Sequence, residues 1–256
     1  MTTVLPELSY FFPAHNEAAN IEALVAEALA TLPALAERFE VVIVDDGSRD
    51  ATPAIADALA EAHPEVRAVH HPTNLGYGAA LRTGFAAARF DHIAFTDGDR
   101  QFRVADLGRL IDRIESPGRG AGGTTPDVVV GYRIRRADPL ARTVYASLYR
   151  LANRVWFGLT VRDVDCACKL FRRAALQGIS VESGGAFFSA ELLIKLRARG
   201  RRVAEVGVPH YPRTAGRPSG ARPSVVLRAM RDFWALRIGL WRSPSGALGR
   251  GAPILG

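Results

Sequence analysis

Phe39-Glu40-Val41-Val42-Ile43-Val44-Asp45-Asp46-Gly47-Ser48 is the stretch whose reading fixes the fold class. Its apolar half is β-branched and reads as a buried strand; its polar half stops that strand with turn-forming Asp and Gly. The same pattern recurs on either side. Upstream, Leu8–Phe12 is a short apolar run ended by Pro13. Ile21, Leu24, Val25, Ala28, Leu29 and Leu32 then follow at helical spacing. Downstream, Thr52-Pro53 predicts an N-cap with proline at the first helical position, for a helix to about Ala62. Strands are expected at Val66–His70 and His92–Thr96, with a helix over Gly78–Ala88 between them. A helical face at Leu107, Leu110, Ile111 and Ile114 precedes the loop Ser116–Pro126 and the strand Asp127–Gly131. This alternation predicts an α/β fold: a Rossmann-like, mostly parallel sheet with helices on both faces. In such sheets ligands bind beyond the carboxyl ends of the strands.

The second half is less regular. Helices are expected at Leu140–Phe157 and Ser189–Arg199, strands at Lys169–Arg172 and Val203–His210, and a Pro/Gly/Arg loop from Pro212 to Pro223. Ser224–Arg242 reads as an amphipathic helix with a large apolar surface and several arginines. Such a helix either lies in a membrane interface or packs on the core. The expected organisation is therefore one domain over residues 1–222, the amphipathic helix over 223–242 and an unstructured tail over 243–256.

Composition bounds the function. The chain has 256 residues, 48% of them hydrophobic, which suits a single substantial core. The net charge of +7 is carried almost wholly by Arg, since Lys occurs only at 169 and 195, and it concentrates toward the C-terminal half. Nucleic acid, anionic lipid and phosphorylated small substrates are the partner classes it suits. Cys166 and Cys168 are the only cysteines. Their spacing is poor for a disulfide and too sparse for zinc, which fits a reducing, cytoplasmic location. Nothing at the start reads as a secretory leader, and no run of 18 apolar residues predicts a spanning helix.

The chemistry-bearing residues sit at strand ends. Asp97-Gly98-Asp99 follows the strand His92–Thr96 directly. Two carboxylates one residue apart can converge on Mg²⁺ or Mn²⁺, although a turn favours the same residue types for its own reasons. Asp45-Asp46-Gly47-Ser48 and Pro13-Ala14-His15-Asn16-Glu17 close the other two strands, and Asn74-Leu75-Gly76-Tyr77-Gly78 supplies a fourth loop. Several acidic strand ends lining one crevice are costly unless a cation or ligand needs them.

The set resembles the family-2 glycosyltransferases of GT-A fold, and particularly the polyprenyl-phosphate (dolichol-phosphate) mannosyl/glucosyl transferases. The matching residues are Pro13-x-x-Asn16-Glu17, Val44-Asp45-Asp46-Gly47-Ser48-x-Asp50-x-Thr52, Asn74-x-Gly76-x-x-x-Ala80 and Asp97-x-Asp99-x-Gln101. The resemblance is close from residue 8 to about 115 and looser to about 220. It implies that Pro13, Ala14, His15, Glu17, Asp45 and Asp46 bind the nucleotide-sugar donor. Asp97, Asp99 and Gln101 would hold the divalent metal and the diphosphate. Arg133 and Arg213 match arginines that contact phosphates. Asp163, Asp165 and Lys169 fall in the acceptor segment, with Arg217 replacing a charge missing from the motif after Arg213.

The expected reaction is a metal-dependent, inverting transfer of a hexose from GDP-mannose or UDP-glucose to a polyprenyl phosphate. The expected place is the inner face of the cell membrane, with no nucleic acid involved. A lipid phosphate is already ionised and needs no general base. A hydroxyl of a glycan, glycolipid or small molecule would need one, and Glu191 in Phe187-Phe188-Ser189-Ala190-Glu191 is the candidate, in a helical first turn that favours a carboxylate anyway. A sugar-nucleotide pyrophosphorylase would show a Gly-rich basic loop after the first strand, where this chain has Pro13–Glu17. A non-catalytic basic module would leave Asp45, Asp46, Asp97 and Asp99 without a purpose.

Overall fold

The computed structural model describes residues 3–116, 123–134, 140–213, 223–242 and 248–255, without the side chains of 140–146 and 223–224. Strands β1 (Leu5–Ala14), β2 (Ala36–Asp45), β3 (Val66–His70) and β4 (His92–Phe95) alternate with helices α1 (Ala18–Thr31), α2 (Thr52–Ala62) and α3 (Tyr77–Ala87). Then follow α4 (Leu107–Glu115), β5 (Val128–Arg133), α5 (Leu140–Phe157), β6 (Lys169–Arg172), a single turn α6 (Arg173–Leu176) and β7 (Ser180–Val181). The chain continues with α7 (Phe188–Ala198), β8 (Val203–Val208), α8 (Pro223–Arg242) and β9 (Ala252–Pro253).

Seven strands form one sheet in the order β3-β2-β1-β4-β6-β5-β8. The first four are mutually parallel, as the alternation predicts, and β5 pairs with β8 in parallel. Only β6 runs against both neighbours, and its register sets Lys169 beside Phe95 and Val130. An antiparallel strand begins where its neighbours end. Lys169 and the loop before it therefore lie along the same sheet edge as the carboxyl ends of β1, β2, β4 and β5.

Both faces of the central strands are covered. Phe11 on β1 packs under α3, so close that a side chain at Gly84 would strike its ring at 2.1 Å. Its neighbours Tyr10 and Phe12 point to the opposite face by the two-residue strand period, and both are fully buried as well. Phe11, Phe85, Phe95 and Phe171 form a continuous aromatic cluster with centroids 5.0–6.2 Å apart. Each such pair adds about 0.5–1.5 kcal/mol beyond its area burial. Gly84→Ala would force that cluster apart.

Two expectations fail. Thr52 begins α2 rather than capping it; its hydroxyl accepts from the Glu17 amide at 2.9 Å, so it serves a neighbouring loop. The tail expected from residue 243 onward is not unstructured over residues 248–255. There β9 pairs antiparallel with β7, and Ile254 is fully buried. Lys195 Nζ reaches in to Ser180 O and Arg250 O at 2.9 and 2.8 Å. A two-residue strand has no periodicity to read, and only the tertiary pocket identifies it.

Candidate active site

Three strand-end loops interlock at the carboxyl edge. After β1, Asn16 adopts a positive φ of 56°, its amide donates to Ser48 Oγ at 2.9 Å, and its side-chain oxygen accepts from the Arg49 amide at 2.9 Å. His15 is exposed, with Nδ1 2.9 Å from Asp46 O and Nε2 3.0 Å from the Asn16 amide nitrogen. After β2, Asp45 accepts from the Ser48 amide at 3.0 Å and pairs with His70 at 3.0 Å. Asp46 is buried and accepts from Leu75 N, Gly76 N and His71 Nδ1 at 2.8, 2.9 and 2.7 Å. Asp46 thus holds the 74–76 loop in place, a role the sequence did not reveal.

The third loop carries the carboxylate pair. Gly98 backs onto the end of β1, where a side chain would meet Pro13 O at 2.7 Å, so this turn between two acids admits only glycine. Asp99 is buried; it accepts from the Gln101 amide at 3.1 Å and from Arg213 Nη2 at 2.5 Å. Arg213 also approaches Glu17 at 3.6 Å, bridging the first and third loops. Gln101 does not turn toward the pair: its amide nitrogen donates to Tyr211 O at 3.3 Å, and its carbonyl receives the Tyr211 amide at 3.0 Å. It therefore secures the segment that delivers Arg213.

Asp97 faces Tyr77, whose hydroxyl donates to it at 3.0 Å. Burial, reinforced by the charge on Asp99, pushes the Asp97 carboxyl up to about 7. Burial likewise raises Glu17 and Tyr77. Tyr77 is a site residue that sequence reasoning missed, although the fourth strand-end loop, Asn74–Gly78, contains it.

The acceptor-side residues form a second, adjoining cluster. Arg133 at the end of β5 grips Asp163 through Nε and Nη2 at 2.7 and 2.8 Å. Lys169 is fully buried; its ammonium donates to Cys166 O and lies 5.4 Å from the centroid of the Phe95 ring. Burial lowers its pKa, opposed by the nearby charges of Asp165, Asp163 and Asp97. Lys169 is thus an internal counter-cation that joins the two clusters rather than an exposed acceptor ligand. Asp165 is exposed on the loop before it. Arg217 lies outside the described residues.

Glu191, the expected base, has its carboxylate occupied by structural contacts. It is buried, and its carboxylate accepts from Glu182 N at 2.8 Å, Ser183 N at 2.9 Å and Lys195 Nζ at 2.8 Å. Its work is to fix the loop at 182–185. Gly184 O in that loop receives the Gly78 amide at 3.0 Å, so the loop braces the start of α3. Arg82 on α3 completes the brace with bonds to Val181 O at 3.0 Å and Ser183 O at 3.4 Å.

The carboxylate donor set of Asp97 and Asp99 fits a hard divalent cation, and Asp99 already carries a cationic group in Arg213. Among the described residues no three acids, His or Cys form a closed ligand set. The remaining ligands of an ion would come from water and a diphosphate.

This sheet order and loop placement define the GT-A fold of nucleotide-sugar enzymes. The chain belongs to glycosyl transferase family 2, whose model matches residues 9–179. It is 32% identical over 242 residues to glycosyltransferase AglD of Haloferax volcanii, covering 91% of this chain and 38% of that protein. It is 29% identical over 219 residues to dolichyl-phosphate beta-glucosyltransferase of Saccharomyces cerevisiae, covering 78% and 66%. To the undecaprenyl-phosphate 4-deoxy-4-formamido-L-arabinose transferase of Pseudomonas aeruginosa it is 32% identical over 212 residues, covering 82% and 59%. The chain thus spans 38–66% of the length of these curated relatives. Glucosyl-3-phosphoglycerate synthase of Mycobacterium tuberculosis, solved with Mn²⁺, UDP and glucosyl-3-phosphoglycerate, superposes with a TM-score of 0.68 at 22% identity, over 91% of this chain and 80% of that one.

Proposed function

We propose that this chain is an inverting hexosyltransferase moving a sugar from a nucleoside diphosphate donor to a polyprenyl phosphate. The observation that carries the acceptor is Glu191. The one carboxylate marked as a general base is saturated by two backbone amides and a lysine. An acceptor already ionised at neutral pH needs no base, and a lipid phosphate is such an acceptor. Relatives named for dolichyl-phosphate and undecaprenyl-phosphate transfer support the same reading.

In this reading Pro13, His15, Glu17, Asp45 and Asp46 surround the nucleotide. Asp97 and Asp99 would hold Mg²⁺ or Mn²⁺, which supplies positive charge against the leaving diphosphate. Arg213, paired with Asp99 at 2.5 Å, would supply positive charge to the diphosphate. Arg133 trades part of its hold on Asp163 for the acceptor phosphate. Both arginines stabilise charge as it moves from the attacking oxygen to the leaving group. GDP-mannose and UDP-glucose are the donors to try first. A polyprenyl chain stays in its bilayer, so the work is done at a membrane surface, on the cytoplasmic side where nucleotide sugars are made.

The test incubates the chain and Mn²⁺ or Mg²⁺ with polyprenyl phosphate and a panel of labelled nucleotide sugars, counting label in the lipid extract. Label with one donor, lost on chelation, is the expected result. Donor hydrolysis without lipid label would overturn the acceptor and direct attention to hydroxyls.

A further inference from the structure

Helices α5 and α8 each carry two apolar stripes, which a helix packed on only one side does not need. On α8 the inner stripe of Ala229, Phe233 and Leu236 is buried, with Phe233 against Phe157 and Phe187 at 4.8 and 5.8 Å between centroids. The outer stripe is Leu227, Met230, Trp234, Ile238 and Trp241, at successive spacings of three, four, four and three residues, with exposures of 43–78%. On α5, Leu148, Leu151 and Val155 form a second outer stripe at 56–67% exposure. Such spacing is one continuous helix face, and apolar residues on it gain only by meeting something else.

The two helices meet through exposed aromatic residues. Trp156 of α5 meets Trp234 of α8 edge to face at 5.2 Å, and Arg237 lies over the Trp156 ring at 5.7 Å. All three tryptophans of the chain, Trp156, Trp234 and Trp241, sit on this face. Charge names the occupant. Arg150, Arg154, Arg228 and Arg242 are exposed on these helices, and the only acidic residue in either, Asp232, accepts from Ser183 Oγ at 2.9 Å and pairs with the exposed Arg231 at 3.2 Å. A second copy of the same face would set arginine against arginine. An anionic lipid surface satisfies both the arginines and the tryptophans, whose amphipathic rings favour the headgroup boundary.

We propose that the outer faces of α5 and α8 form one docking surface for an anionic bilayer, seated beside the start of α3. The seating is direct: Asp232 holds Ser183, and the next residue's carbonyl holds the Gly78 amide. The core-packed and membrane-facing readings of the C-terminal helix are thus compatible, one for each stripe. This deepens the proposed function by naming the surface on which a lipid acceptor is met, and it is tested without any acceptor.

The experiment mixes the full chain with vesicles of equal phosphatidylglycerol and phosphatidylcholine, without nucleotide sugar or polyprenyl phosphate, and reads flotation and tryptophan emission. Expected are co-flotation and a blue shift, both weakened by added salt and by pure phosphatidylcholine vesicles. The double variant Leu227→Glu/Trp241→Glu should lower vesicle partitioning at least tenfold with the same thermal midpoint, because both side chains are exposed. Absence of flotation, or flotation unchanged by the variant, overturns the proposal. So does concentration-dependent dimerisation abolished by that variant, which would make a second copy the occupant. Vesicle binding without sugar transfer would retire only the acceptor reading. Transfer to detergent-dispersed polyprenyl phosphate without vesicle binding would retire only the docking surface.

Discussion

The edge proposed to hold the donor and the edge proposed to meet the acceptor are built by different means. Around β1, β2 and β4 the loops are short and tied largely through backbone groups: Asp46 to the 75–76 amides, Asn16 to Arg49, Ser48 to Asn16. Around β5 and β6 the ties lean on buried cationic side chains, Arg133 on Asp163 and Lys169 on Cys166 O. Backbone ties hold a site preorganised before any ligand arrives. Ion pairs between side chains can be exchanged for a phosphate at modest cost, which suits the edge that must admit and release an acceptor.

Substitution should expose this asymmetry. Asp99→Ala is expected to lower transfer about 1000-fold by removing charge control at the leaving group, with a smaller loss of folding stability because Arg213 keeps Glu17 at 3.6 Å. Thermal melting beside the label assay checks both halves of that statement. Arg133→Ala should lose transfer and folding stability together. It leaves Asp163 buried without its bidentate partner, so stability falls by about 3 kcal/mol while donor binding persists. Equal losses of donor affinity in the two variants would erase the distinction between the edges.

Ile254→Ala tests whether the last strand matters to the donor edge. Deleting a fully buried isoleucine should cost about 2–4 kcal/mol in urea unfolding. It should also loosen the loop at 182–185, whose preceding strand β7 pairs with β9. The counterpart Leu227→Ala, at 67% exposure, should change stability by no more than about 0.5 kcal/mol.

The smallest effect is a pH dependence. The folded chain holds the Asp97 proton up to about 7, whereas an unfolded aspartate releases it near 4. The folded state therefore binds more protons across that interval, and stability falls as pH rises from about 4 to about 7. In the proposed function, metal held by Asp97 needs the ionised carboxylate, so metal and nucleotide binding should tighten over the same range. Thermal midpoints at about pH 5 and about pH 8, with and without Mn²⁺ and nucleotide, should move in opposite directions. Asp97→Asn should flatten its share of both trends.

What could be read from the residues alone was local. The apolar run of β2 and the acids that stop it, the helical spacing after β1, and the Asp97-Gly98-Asp99 turn each lie within one strand-end neighbourhood, where periodicity and turn chemistry carry the signal. Tertiary structure decided the rest. Arg213 meets Asp99 across 114 residues of sequence, and β6 enters the sheet antiparallel so that Lys169 reaches the shared edge. Glu191 becomes a buried brace instead of a base, and Ile254 finds a pocket that no pattern announces. Those outcomes depend on which groups are buried together. Burial is a property of the folded whole, because an ion pair or a two-residue strand gains its energy only from the surroundings that exclude water around it.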